Sequence, residues 1–268
     1  MDMYHLKQIP TKREIQKFLK RILFGEHIFC PACKSFNIMS YENRYRCRKC
    51  KTKFSLLSHT WLGNLKIPLQ QFWLVLWCWT QKMPVKQTEG LVSLSEKAVR
   101  HWFDLFRNNL PKDKTILEHV VQLDEAYFGR FGSIALLLGK QIGTRKLAYQ
   151  ILKSDAPGRI DAINFVKTFV KPKTKLNTDG SVIYKDIDKY YPVSHRTDIH
   201  KKFEFANTSE IEGMFGVLRT FIRRMYHHTT PDKFPEYMCE FYYRFCRPEM
   251  FKSPYHYLLN TLVLIPTW

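Results

Sequence analysis

Negative charge is what this chain lacks most: 24 Asp and Glu stand against 43 Lys and Arg, a formal net charge of +19 over 268 residues. An excess of that size points to a polyanionic partner, because each phosphate neutralised by Lys or Arg releases a counterion. Long apolar runs are also missing. The longest stretches, Phe72–Trp79 and Tyr257–Ile265, fall well short of the roughly 20 residues of a spanning helix, so no membrane partner is expected. The opening segment, residues 1–20, is charged throughout and does not read as a secretory leader. A soluble intracellular protein is expected, cytoplasmic and nucleoid-associated if the host is bacterial. Internal repeats and low-complexity tracts are absent, which excludes solenoids, while 45% hydrophobic residues suffice for a core. The seven cysteines are an odd number and do not form an evenly paired disulfide framework.

The positive charge is concentrated. Residues 1–113 carry a net +12, residues 114–206 +6 and residues 207–268 +1. The first part therefore reads as the main docking surface for nucleic acid, and the later parts hold most of the carboxylates. Within the first part, Cys30-Pro-Ala-Cys33 and Cys47-Arg-Lys-Cys50 are separated by thirteen residues. Each C-x2-C turn presents two thiolates, and two such turns can close a tetrahedron around a structural zinc. So short a loop buries little apolar surface, so the metal would supply folding energy of about 10–16 kcal/mol. Four sulfurs leave no open coordination position for catalysis. Cys78, Cys239 and Cys246 read as small core residues.

Periodicity predicts helices over Thr11–Phe24, Pro68–Lys82 and Pro84–Leu91, and one begun by a Ser93-Leu-Ser-Glu96 capping box. On that last helix Ala98, Val99, Trp102, Phe103 and Phe106 form one stripe, with Lys97, Arg100, His101 and Arg107 outside it. Three helices with a tight turn before the last read as a helix-turn-helix, and Lys97, Arg100 and His101 as its DNA contacts. An ordinary helical bundle is the alternative. After the polar boundary at Asn108–Thr115, strands are predicted at Val120–Phe128, Ser133–Leu138, Lys146–Leu152 and Thr174–Thr178. Helices are predicted at Gly158–Val170 and Thr208–Tyr226. That order fits an α/β layer fold.

Asp124 interrupts a strand that otherwise reads as buried, where an unpaired carboxylate is costly. Asp179 ends a second strand, and Glu212 lies in the first turns of the long helix, sharing a face with Arg219 and Arg223. Three converging carboxylates repel unless a cation intervenes. Two magnesium ions, about 3.5–4 Å apart, would satisfy them and support in-line attack on phosphorus. Arg219 and Arg223 are the candidate phosphate contacts beside them. Glu125 should point to the opposite face of the strand and read as supporting or structural. His195 is either a proton shuttle or phosphate contact near the site, or a hydrogen-bonded surface residue. His227 and His228 read as structural or DNA-contacting.

These parts in this order resemble the Merlin-type DDE transposases and their bacterial insertion-sequence relatives. The residues that carry the resemblance are Cys30-Pro-Ala-Cys33 with Tyr45–Phe54, Leu123-Asp-Glu-Ala-Tyr-Phe-Gly129, Thr178-Asp-Gly180, Thr208–Arg219 and Tyr226-His-His228. The 33-residue step from Asp179 to Glu212 suits the family's spacing. Ser209, Phe215 and Arg219 depart from its usual Asn, Trp and Lys.

The resemblance implies an α/β protein with a zinc ribbon and helix-turn-helix, then an RNase H-like mixed sheet flanked by helices. Its expected divisions are a basic helix in 1–27, the ribbon in 28–57, the helix-turn-helix in 66–110, the catalytic domain in 116–248 and a tail in 249–268. It implies Asp124, Asp179 and Glu212 as catalytic ligands of magnesium, with manganese able to substitute, and Glu210 as the alternative third acid. Cys30, Cys33, Cys47 and Cys50 would hold the zinc. The implied partners are double-stranded DNA, as terminal inverted repeats and target, and a second copy of the chain on DNA. Two other readings stay open: a DNA-binding regulator derived from a transposase with lapsed catalysis, and a structure-specific nuclease that joins nothing.

Overall fold

The computed structural model describes residues 9–41, 44–152, 157–197 and 209–265, which fall into two units. The first unit comprises Met1–Pro111 and Glu249–Trp268, the second Lys112–Pro248. Among the described residues no helix is long and apolar enough to cross a membrane.

The first unit opens with α1 (Lys12–Phe24), which starts at a Thr11–Glu14 capping box and buries Ile15, Leu19 and Leu23 at helical spacing. A three-stranded antiparallel sheet follows: β1 (Ile38–Tyr41), β2 (Arg44–Cys47) and β3 (Lys53–Ser55). Three helices come next: α2 (Leu69–Thr80), α3 (Val85–Val92) and α4 (Glu96–Asn108). Helix α2 buries Phe72, Trp73, Val75, Leu76, Cys78 and Trp79, so it is apolar nearly all round and central. Ser93 does not cap α4. It takes a left-handed conformation (φ 54°, ψ 42°) that ends α3, and Ser95 caps α4 by accepting from the Ala98 N–H. The helix boundary thus shifts by two residues from the Ser93 expectation, because two serines in sequence compete for one cap.

Residues 249–265, expected as a tail, close this unit through α9 (Pro254–Thr261). Tyr257 is fully buried against Trp61, Trp79 and Phe106, and its hydroxyl donates to the Phe106 carbonyl at 2.8 Å. The Trp61 indole N–H donates to the Thr261 carbonyl at 3.1 Å. A buried tyrosine and a half-buried tryptophan with their polar atoms satisfied make this a packed element.

The second unit is a five-stranded mixed sheet built from β4 (Val120–Phe128), β5 (Ile134–Gln141), β6 (Leu147–Ile151), β7 (Lys175–Thr178) and β8 (Ser194–Thr197), in the order β6-β5-β4-β7-β8. Strands β6, β5 and β4 run antiparallel, whereas β4, β7 and β8 run parallel. On one face α5 (Arg159–Phe169) packs Ala162, Phe165 and Val166 against Val121, Leu123, Ala135, Leu137 and Leu176. Gly139 lets the helix approach: a Cβ there would sit 2.8 Å from Leu117 and 3.0 Å from Phe165. A one-turn helix, α6 (Ile187–Tyr190), adds Ile187 to this core.

Helices α7 (Ser209–Tyr226) and α8 (Phe234–Cys246) complete the unit. Helix α7 lies along β4 and β5. The Ile211 N–H donates to Gln122 Oε1 at 2.8 Å, and Phe128 packs on Phe234. Gln122, Asp124 and Phe128 alternate onto this face of β4 as a strand requires. On α8, Glu240 is wholly buried and accepts from Arg244 Nε at 2.7 Å and from the Tyr226 hydroxyl. Mixed α/β architecture with a five-stranded sheet, preceded by a four-cysteine cluster consistent with a zinc ribbon, matches the expected fold class.

Candidate active site

Pairing in the second unit stops unevenly. Strand β4 pairs with β5 along Val121–Phe128, but with β7 only along Val120–Gln122. Among the described residues β4 pairs with no strand on the β7 side beyond Gln122, and the chain leaves β7 at Asp179. Parallel strands that end at different heights leave a crevice at their carboxyl ends, where α/β sheets place polar chemistry.

Asp124, Glu125 and Asp179 meet there, each half-buried, with one carboxylate oxygen apiece all within 4.8 Å of one another. Asp124 Oδ1 accepts from the Glu125 N–H at 2.8 Å, and Asp179 Oδ1 from the Ser181 N–H at 3.0 Å. Glu125 does leave β4 on the α5 face, where the hydroxyl of buried Tyr184 donates to it. Its carboxylate nevertheless reaches the shared site, where β4 has no paired strand on the β7 side among the described residues. Glu125, expected as supporting or structural, thus bonds Tyr184 and also lies within the carboxylate group. The clue in the sequence is the Asp-Glu pair itself, but strand alternation argues against both side chains reaching one point.

Electrostatics at the site disfavour the charged forms of two of the three carboxylates. Burial raises Asp124 from 3.8 to about 7, helped by the charges of Glu125, Asp179 and Glu212 and opposed by the Glu125 N–H. Burial and the Asp179 charge likewise raise Glu125, against the stabilising Tyr184 hydrogen bond. Glu212 is exposed on the first turns of α7 and lies outside the three-carboxylate group, yet its charge is felt at Asp124. Glu210 is engaged elsewhere: it pairs with buried Lys140 at 3.0 Å and accepts from the Gly143 N–H. Oxygen donors and a desolvated like-charge cluster are compatible with a divalent metal.

Arg219 and Arg223 are exposed on α7, and the Arg219 guanidinium stands 5.3 Å from the Phe128 ring centre. His195, on β8, is half-buried and bonded to Thr178 Oγ1 at 2.9 Å, while the same hydroxyl donates to the Asp179 carbonyl. With its one proton so used, the hydroxyl accepts from the imidazole, and His195 braces the end of β7. Burial lowers the His195 pKa, against the charge of Asp188. His227 and His228 are exposed beyond α7. Thr208 lies outside the described residues.

In the first unit Lys97, Arg100 and His101 share the exposed side of α4. Arg100 is held by Glu96 at 2.6 Å, and Lys86 pairs with the same carboxylate. Arg107, expected outside the apolar stripe, is buried and paired with Asp104. Its long stem takes up apolar contact that its charge conceals in the sequence.

The cysteines converge as their spacing implies. Cys30, Cys33, Cys47 and Cys50 place their sulfurs within 4.8 Å of one another, with Cys30–Cys50 and Cys33–Cys47 at 3.5 Å. Zinc–sulfur bonds of about 2.3 Å would set tetrahedral edges near 3.8 Å, so the four thiols fit such an ion. Each knuckle ends in a left-handed lysine, Lys34 at φ 59° and Lys51 at φ 63°. Hydrogen bonds from Thr52 pull Cys50 down to about 6, while burial pushes Cys30 up to about 12. Cys78 is buried, and Cys239 and Cys246 are half-buried.

Residues 143–245 match the ISXO2-like transposase domain, a span that includes Asp179 and Glu212 and begins after Asp124. The chain is 22% identical over 131 residues to an uncharacterized protein in transposable element ISH50 of Halobacterium salinarum, covering 47% of this chain and 45% of that protein. The chain thus spans less than half of that relative's length. A chain in the cryo-EM structure of the simian T-cell lymphotropic virus intasome in complex with PP2A regulatory subunit B56 gamma superposes at TM-score 0.40. It is 12% identical, covering 70% of this chain and 74% of that one. So loose a superposition bears on neither function nor partner. The two sequence matches together support an insertion-sequence transposase, with its ISXO2-like domain in residues 143–245.

Proposed function

We propose that this chain cleaves DNA at the terminal inverted repeats of its own element and transfers the released 3′ hydroxyls into target DNA. The observation that carries the reading is the convergence of Asp124, Glu125 and Asp179 at the open edge of β4, in a chain that matches a transposase domain. Asp124 and Asp179, with Glu212 from α7, would hold magnesium ions, with manganese as a substitute and Glu125 as an added oxygen donor. Divalent ions bound there supply Lewis acidity to phosphoryl oxygens and offset the charge that develops on them during in-line displacement.

The chain's own groups divide the remaining work. The Glu125 N–H and the Ser181 N–H orient Asp124 and Asp179 toward the common point. The Gln122 side chain fixes the start of α7 to β4 by accepting from the Ile211 N–H, one residue before Glu212. Arg219 and Arg223, one turn apart on α7, offer cations to flanking phosphates. Lys97, Arg100 and His101 on α4 would contact DNA, with Arg100 exchanging Glu96 for phosphate. A structural zinc on the four cysteines would hold the ribbon that helps select the ends. Transposition joins two ends, so a dimer or larger assembly on DNA is expected.

The test is cleavage and joining of end-containing DNA by the purified chain with magnesium. Asp124→Asn should abolish both products while DNA binding survives. Cleavage at the wild-type rate by that variant would remove Asp124 from the chemistry. Cleavage without joining would favour a nuclease, and binding alone a regulator.

A further inference from the structure

The ribbon carries a run of aromatic rings whose two ends open onto one cavity. Phe36 contacts Phe29 (6.1 Å between ring centres), Phe29 contacts Phe24 (5.3 Å), Phe24 contacts Phe54 (6.3 Å) and Phe54 contacts Tyr45 (5.4 Å). Phe24 and Phe54 are buried, whereas Phe36 is 69% exposed. Phe36 and Tyr45 both line a concavity of about 490 Å³ beside α1 and β1, together with Lys20, Glu26, His27 and Ser40. A single exposed phenylalanine is ordinary. Here the exposed ring is buttressed by an aromatic core, faces a cavity, and sits in a module with a strong cationic surplus. Residues 28–57 contain seven Lys or Arg and one acid. Lys34, Arg44, Arg48, Lys49, Lys51 and Lys53 are all exposed.

We propose that this concavity is a stacking site for an unpaired base of single-stranded DNA, with Lys20 at the site and Lys34, 5.2 Å from the Phe29 ring centre, as the cations for its phosphates. Duplex DNA offers phosphates and base edges, but its base faces are already stacked. An aromatic face gains a partner only when a base is splayed out. The volume falls in the range of about 300–1,000 Å³ for small-molecule pockets. His27, Ser40 and Glu26 supply donors and acceptors for a base edge, and Lys20 supplies a cation at the same site. A buttressed ring loses little freedom on binding, which suits it to stacking. Charge complementarity selects a polyanion over a peptide. The inference stands apart from strand cleavage and uses none of the three carboxylates.

The experiment uses the whole 268-residue chain purified in the presence of zinc and two DNAs: a blunt duplex, and the same duplex with a single-stranded overhang containing 2-aminopurine. Stacking should quench the probe on binding. Phe36→Ala should weaken binding of the overhang DNA by about five- to 150-fold, the loss of one base–aromatic stack, and relieve the quench. Blunt-duplex affinity should stay unchanged. Phe36→Trp should restore the quench, and Phe36→Leu, which keeps an apolar side chain without a ring, should not. Zinc content and circular dichroism identify any variant that fails to fold. An unquenched probe, equal losses on both DNAs, or wild-type behaviour by Phe36→Leu would overturn the site. Those results would leave cleavage of end-containing DNA, and hence the transposase reading, untouched.

Discussion

Replacing Asp124 by Asn should stabilise the magnesium-free protein even as it removes activity. The wild-type carboxyl rises from 3.8 to about 7 on folding, mainly because burial penalises its charged form. A raised acid pKa means that the folded state keeps a proton the unfolded chain has released. The native state is therefore penalised increasingly as pH climbs from about 4 to 7, and the penalty levels off above 7. A shift of that size corresponds to on the order of 4 kcal/mol at neutral pH. In a unit of this size that is a gain of roughly 15 °C in transition temperature for the variant. Scanning calorimetry of both proteins between pH 4 and 8 reads it directly. Magnesium should be withheld by dialysis, since a chelator would also strip the cysteine centre. The two should nearly coincide at pH 4, diverge toward pH 7, and approach each other again when magnesium is added. Parallel curves across the whole range, or a wild type more stable at pH 7, would refute the claim of a desolvated carboxylate repelled by its neighbours.

Glu125→Gln should weaken manganese binding in the absence of DNA by at least about tenfold, the scale seen when a metal site loses an oriented carboxylate. Glu212→Gln should change it less, because Glu212 stands outside the three-carboxylate group; manganese spin-resonance titration separates the two. Glu240→Gln should destabilise the unit by up to about 3–5 kcal/mol in urea unfolding, since the wholly buried carboxylate that accepts from Arg244 Nε and the Tyr226 hydroxyl loses its charge. Cys47→Ser should release the metal of the ribbon and weaken DNA binding while the spectroscopic signature of the five-stranded sheet persists; metal analysis with far-ultraviolet dichroism checks both.

The sequence alone determined a good deal. Four cysteines in two C-x2-C pairs point to a metal-binding module, because two such turns can bring four sulfurs around one ion. The strand around Asp124, the amphipathic α7 and the cap-and-stripe patterns of α1 and α4 follow from local periodicity, which depends only on neighbouring residues. The long-range contacts did not follow. Strand β8 is four mostly polar residues whose partner is set by β7. Nothing near Tyr257 reveals that its hydroxyl caps the carbonyl of Phe106, 151 residues earlier. Arg107 reads as surface until Asp104 and the apolar interior enclose it. Glu125 is the clearest case. Alternation assigns it to the far side of β4, and only the early end of β7, a fact of tertiary pairing, leaves an edge around which its carboxylate can join Asp124 and Asp179. Local pattern decides which face a residue leaves from; where neighbouring strands stop decides what it can reach.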